Sequence, residues 1–199
     1  MLKISNISEG LTEVIRKNMP IDDVKAEQIE YGIYMTISEV IKISVILLIS
    51  ALLDVLLYTV VTMLVFGTHR NFIGGVHAKT HWGCFVSYGV ITLGTVYASM
   101  YLNIDKALLC VLIYPICMLI AYKYAPADIT NKPVASRRQR RNLRIGGFTF
   151  MTVVFVAALF LPHPYSNLLI VVSLIECITM LPIVYKITGN EYGRKEVQL

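Results

Sequence analysis

The sequence predicts an all-α, polytopic membrane protein with about six transmembrane helices and an N-terminal amphipathic helix. Of its 199 residues, 56% are hydrophobic and only 16% are charged, and the mean hydropathy is +0.64. A soluble domain of this length needs far more charge to cover its surface. The apolar residues also come in long continuous runs rather than in alternation, which argues for helices against a transmembrane barrel. Most of these runs approach the roughly 20 residues that cross a bilayer.

The first twenty residues place Ile4, Ile7, Leu11, Val14 and Ile15 at helical spacing with charges opposite. Residues 1–20 therefore read as a helix lying in the membrane interface; a soluble helix packed on the rest of the protein fits the same pattern. Pro20 ends it, and Asp22 and Asp23 supply an N-cap for the next helix. Because Glu9, Arg16, Lys17, Asp22 and Asp23 stand where a secretory signal would be apolar, insertion by the first mature helix is expected.

Six apolar runs follow, near 30–53, 54–69, 82–102, 106–124, 145–162 and 165–186. The first two are divided at Asp54, since an unbroken run of that length would be about twice the thickness of a bilayer. Asn103 to Asp105 and the HPYS of 163–166 read as tight turns. The whole chain, 1–199, is expected to form a single membrane domain.

Orientation follows from lysine and arginine. With a cytoplasmic N-terminus, the inner connections are 69–81 and 125–144, plus the C-terminal tail. They hold Arg70, Lys79, Lys132, Arg137, Arg138, Arg140, Arg141, Arg144, Arg194 and Lys195, whereas the outer turns carry little beyond Lys106. Charges inside the spans are few. Glu39 and Lys42, three residues apart, suit a mutual pair, and Glu176 in the last span is a functional suspect because ionisable groups are costly in a membrane.

Residues 68–85, THRNFIGGVHAKTHWGCF, gather three histidines, an arginine, a lysine, a glycine pair and a cysteine on the cytoplasmic side. Of the four cysteines, 110, 117 and 177 sit in apolar runs as small hydrophobes. Cys84 alone has polar company. A cysteine nucleophile needs nearby cations and a basic imidazole, and Arg70, Lys79, His77 and His81 are all near in sequence. On one continuous helix His77 would lie about 10 Å from Cys84 along the axis, so it serves only if the backbone folds back, whereas His81 shares a face with Cys84. His77, His81 and Cys84 also form an HxxxHxxC set with zinc-ligand character, although no Asp or Glu occurs from 55 to 104 to act as a base. A solvated loop is the third reading. The residues alone leave all three open.

The stretch RNFIGGVHAKTHWGC resembles the motif of the accessory gene regulator B family, membrane cysteine endopeptidases of Gram-positive quorum sensing. That motif has an arginine, a glycine pair and a histidine seven residues before a cysteine. APADITNKPV followed by SRRQRRNLR is similar to the family's Pro-rich basic cytoplasmic loop. The resemblance implies that Cys84 is the nucleophile and His77 the base, that Arg70 and Gly75 are needed for the site to form or to bind, and that any helix is broken between 77 and 84. His81 matches no family role.

The resemblance further implies a precursor-peptide substrate with an amphipathic leader, a core with an internal cysteine or serine, and an acidic tail. Cleavage at the core–tail junction would leave an acyl thioester on Cys84, which the core's own nucleophile resolves into a thiolactone or lactone. Arg70 and Lys79 should favour the thiolate, and Arg137, Arg138, Arg140 and Arg141 would attract the acidic tail or simply fix topology and meet anionic lipid. Asn71, Ser87 and Glu39 are candidates to orient His77. The lipid bilayer is a partner, a homodimer is expected by analogy with the family, and neither a cofactor nor nucleic acid is called for. The rival from another class is a small peptide transporter or exporter, which should tolerate loss of Cys84.

Overall fold

A computed structural model describes residues 4–76, 78, 80–128 and 136–191, with the backbone alone at residue 81. Eight helices occur among them: α1 (Ile4–Asn18), α2 (Asp23–Leu52), α3 (Leu56–Ile73), α4 (His81–Tyr101), α5 (Lys106–Tyr124), α6 (Arg137–Phe160), α7 (Tyr165–Thr179) and α8 (Pro182–Thr188). The chain divides into two compact units, 1–53 and 54–199.

In the first unit α1 packs on α2. The face of α1 that is buried is small and polar: Ser8 Oγ donates to Ser5 O at 2.9 Å and Thr12 Oγ1 to Ser8 O at 2.8 Å, so neither hydroxyl is left unsatisfied. Ile7, Leu11 and Val14 stay exposed, an arrangement suited to a membrane interface. The predicted stop and start hold, since α1 ends at Asn18 and Asp22 caps α2 by accepting from Lys25 N–H at 2.7 Å. The division at Asp54 holds too. Asp54 takes φ +56 between the end of α2 and the start of α3, a conformation that Asp adopts more readily than most residues.

In the second unit α7 packs against α3, α4, α5 and α6. Leu168, Ile170, Val172, Ser173, Glu176 and Cys177 along it are fully buried. A helix enclosed along most of its length has little outward face to keep polar, and the one exposed position on it, Ile178, is apolar. The surrounding helices turn Leu64, Val90, Val111, Leu119, Val153 and Phe160 outward; for a chain this apolar, hydrocarbon is the medium that such a surface fits. Thr95, Val96 and Ser99 in the small-residue stretch of α4 are buried within the chain. Gly147 on α6 faces Ile73 so closely that a Cβ would collide with its side chain, and small residues are what allow membrane helices to approach like this.

The fold class is therefore as the sequence predicts, all-helical with several helices fit to span a membrane, and the count of six is approximate. Among the described residues four helices, α2, α4, α5 and α6, are long and apolar enough to cross a bilayer, and α7 with α8, bent by 68° at the break between them, counts as a fifth where the pair is taken as one span. The run at 54–69 does form a helix, α3, but its C-terminal end carries His69, Arg70 and Asn71 and falls short by the same measure. The basic 137–144 stretch, read from sequence as loop, is helical: it forms the first turns of α6.

Long-range hydrogen bonds sort the connections of this unit to two ends. At one end Lys106 Nζ donates to Leu161 O at 3.0 Å and Asn167 Nδ2 to Leu102 O at 2.6 Å, joining the turns at 103–105 and 163–166. At the other, Ala127 N–H donates to Ile73 O at 2.8 Å and Gly75 N–H to Ala127 O at 2.9 Å, a short parallel bridge between the two connections rich in basic residues.

Candidate active site

Cys84 lies in the first turn of α4. Thr80 is the N-cap, its Oγ1 accepting from Gly83 N–H at 3.0 Å, and the backbone N–H of Cys84 donates to Thr80 O at 2.9 Å. The thiol is half-buried and in no disulfide. Its place is the positive end of a helix dipole. Because α4 begins at His81, the helix carrying Cys84 does not extend back past Thr80, and the break expected between 77 and 84 is present. His77 and Lys79, together with the side chain of His81, lie outside the described residues.

The connection ahead of residue 77 is held from several sides. Arg70, one turn before the end of α3, donates from Nη2 to the Val76 carbonyl, faces the Glu176 carboxylate on α7 with Nη1 3.5 Å from Oε2, and sets its guanidinium 5.5 Å from the Phe66 ring centroid. Val76 N–H donates to Thr179 O at 3.3 Å. Gly75 has φ +135, and a Cβ there would stand 2.5 Å from Thr179 Oγ1 and 3.3 Å from Arg70 Nη1. Only glycine fits.

The second basic connection abuts the first. Tyr185 OH donates to Ala127 O at 3.1 Å, Arg144 Nε to Ala125 O at 2.9 Å, and Arg140 Nη2 to Asp128 Oδ2 at 2.8 Å. Of the four arginines singled out in the sequence, Arg140 is thus engaged by the protein, whereas Arg137, Arg138 and Arg141 are exposed. They stand at a helix N-terminus with no acidic residue in the first turn, where their charge adds to the helix dipole instead of opposing it. A cleft of about 400 Å³ next to them is lined by Phe72, Ser136, Arg138, Gln139, Asn142 and Leu143.

Among the candidates to orient the histidine, Glu39 pairs with Lys42 at 2.5 Å in the first unit, as their spacing predicts, and Asn71 and Ser87 are exposed. Cys110, Cys117 and Cys177 are buried, as their apolar surroundings predict. Three features were missed in the sequence: the Thr80 cap, the Asp128–Arg140 pair, and His69, which is fully buried with Nε2 3.2 Å from Ser173 Oγ. A Thr three residues before Gly83 was a legible capping signal. The two long-range pairs had no local one.

Residues 8–180 match the accessory gene regulator B family. The chain belongs to this family. Relatives in the accessory gene regulator B family include accessory gene regulator protein B of Staphylococcus aureus strain MW2, 25% identical over 173 residues covering 86% of this chain and 90% of that protein. The protein of the same name from Staphylococcus intermedius is 26% identical over 183 residues, 92% of this chain and 96% of that one. No solved structure gives a significant match. Family membership and the apolar helices together identify a membrane protein of accessory gene regulator quorum sensing.

Proposed function

We propose that the chain is a membrane cysteine endopeptidase that removes the acidic C-terminal tail of a precursor peptide and promotes closure of the remaining core into a thiolactone or lactone. The observation that carries this reading is the position of Cys84: half-buried in the capped first turn of α4, next to a connection pinned by Arg70, Thr179 and Ala127. A nucleophile held at a helix N-terminus beside a rigid segment is what acyl transfer requires.

In the first step the Cys84 thiolate, prepared by His77, attacks the carbonyl that joins core to tail. The C–N bond breaks, the tail amine leaves with a proton returned from the imidazolium, and the core remains as a thioester on Cys84. In the second step His77 takes the proton of the core's own thiol or hydroxyl, that atom attacks the thioester carbonyl, and the Cys84 thiolate is released. Ring closure outruns hydrolysis because the internal nucleophile is held close, with an effective molarity of about 10⁵ M or more. With a cytoplasmic N-terminus, the site and the exposed Arg137, Arg138 and Arg141 share the cytoplasmic face, where they receive the acidic tail.

Reconstituted protein and a precursor peptide, followed by mass spectrometry, test the reading. Cleavage should vanish in Cys84→Ala, collapse in His77→Ala, survive His81→Ala and ignore a chelator. Chelator sensitivity together with an essential His81 would instead make this a metal site. Peptide transport by Cys84→Ala without any cleavage by the wild type would make it a transporter.

A further inference from the structure

Glu176 has no described role in the peptidase reading, yet it is a carboxylate buried at the centre of the second unit. It lies at the core of α7 with 0% exposure, and neither carboxylate oxygen accepts a hydrogen bond of good geometry. A buried carboxylate destabilises a fold unless a cation answers it. The cation is Arg70, 3.5 Å away and itself 18% exposed.

We propose that Glu176 is a positioning residue for the reaction at Cys84, acting through Arg70 on the peptide group that leads into residue 77. The proposal rests on the peptidase reading for its catalytic consequence. The Val76 carbonyl, which accepts from Arg70, belongs to the same planar peptide unit as the nitrogen of residue 77. Fixing that carbonyl fixes the direction in which the chain enters residue 77. Val76 is held at its other polar group by Thr179 O, one turn beyond Glu176 on the same helix. Thus α7 grips Val76 twice, directly through Thr179 and indirectly through Glu176 and Arg70. The absence of a side chain at Gly75, whose Cβ would lie 3.6 Å from Glu176 Oε1 and 3.3 Å from Arg70 Nη1, is what lets the loop settle onto the pair. Without the carboxylate, Arg70 keeps only the Phe66 ring and the carbonyl as partners among the described residues, and its guanidinium is no longer fixed in the plane needed to hold the carbonyl.

Glu176 is sealed from substrate, so its removal should act on turnover and not on binding. The experiment measures precursor cleavage by reconstituted wild type, Glu176→Gln, Glu176→Asp and Cys84→Ala, each checked for a monodisperse detergent-solubilised state. Hydrogen exchange of the segment 74–80 is followed in the same samples. The expected result is a kcat at least tenfold lower in Glu176→Gln with KM within twofold of wild type, partial recovery in Glu176→Asp, and at least tenfold faster exchange at 74–80 in Glu176→Gln. Unchanged kcat and unchanged exchange in Glu176→Gln would overturn the proposal while leaving the peptidase reading intact. Faster exchange with unchanged kcat would overturn the positioning role also. If the wild type itself fails to cleave, the peptidase reading falls and exchange alone decides whether Glu176 holds the loop.

Discussion

Arg140 Nη2 stands 2.8 Å from Asp128 Oδ2, an ion pair in which the carboxylate is only 3% exposed. It ties the first turn of α6 to the segment that bridges to Gly74. The basic run therefore contains arginines of two kinds, Arg140 and Arg144 built into the protein and three facing outward. Arg140→Ala should lower stability by about 3 kcal/mol, as expected for breaking a buried pair, and lose folded protein in a detergent melting assay. Arg137→Ala, Arg138→Ala and Arg141→Ala combined should melt as the wild type does. In cleavage assays the triple variant should raise KM for an acidic-tailed precursor about tenfold, since three exposed charge contacts of about 0.5 kcal/mol each are lost, with kcat unchanged and weaker dependence on salt. Equal KM for acidic and neutral tails in the wild type would count against tail recognition by these residues.

Gly75→Ala should abolish cleavage and destabilise the fold by about 1–3 kcal/mol, because φ +135 is nearly closed to alanine and its Cβ would meet Thr179 Oγ1. Adding Thr179→Ala removes the collision but not the backbone strain. The double variant should therefore recover part of the melting temperature at most; full recovery would mean that space alone, and not conformation, requires glycine here.

Thr80→Ala should fray the start of α4 at a cost of about 1 kcal/mol through loss of the cap to Gly83 N–H. The effect is read directly as faster hydrogen exchange at 81–84, with slower cleavage alongside it. Thr80→Ser keeps the oxygen and should restore both. A Thr80→Ala protein with protected amides at 81–84 would show that the cap does not hold this turn.

Much of this arrangement was legible in the sequence, for local reasons. Apolar runs, Asp22 as a cap, the turn at 103–105 and the break at Asp54 depend on neighbours within a turn or two, so pattern reveals them. The count of spans is approximate because α3 is apolar at its start and polar at its end, so length and composition alone do not class it with the others. The end of α3 packs against α7, where His69 meets Ser173 and Arg70 meets Glu176, and such pairs lie more than 100 residues apart in the chain. Likewise the helical state of the Arg-rich stretch goes against the unfavourable charge at a helix N-terminus. It depends on Asp128 and on the carbonyls of Ala125 and Pro126, acceptors that the sequence could not assign to particular arginines.

The central claim is that Cys84 carries the acylated core, and the most direct measurement is the intact mass of the reconstituted protein after exposure to a precursor whose internal nucleophile is replaced by alanine. With ring closure blocked, the account predicts an adduct on the wild type equal to the mass of the core less one water, mapped to Cys84, removed by hydroxylamine and absent from Cys84→Ala. Release of the tail at the wild-type rate by Cys84→Ala, or by a wild type that never forms such an adduct, would contradict it.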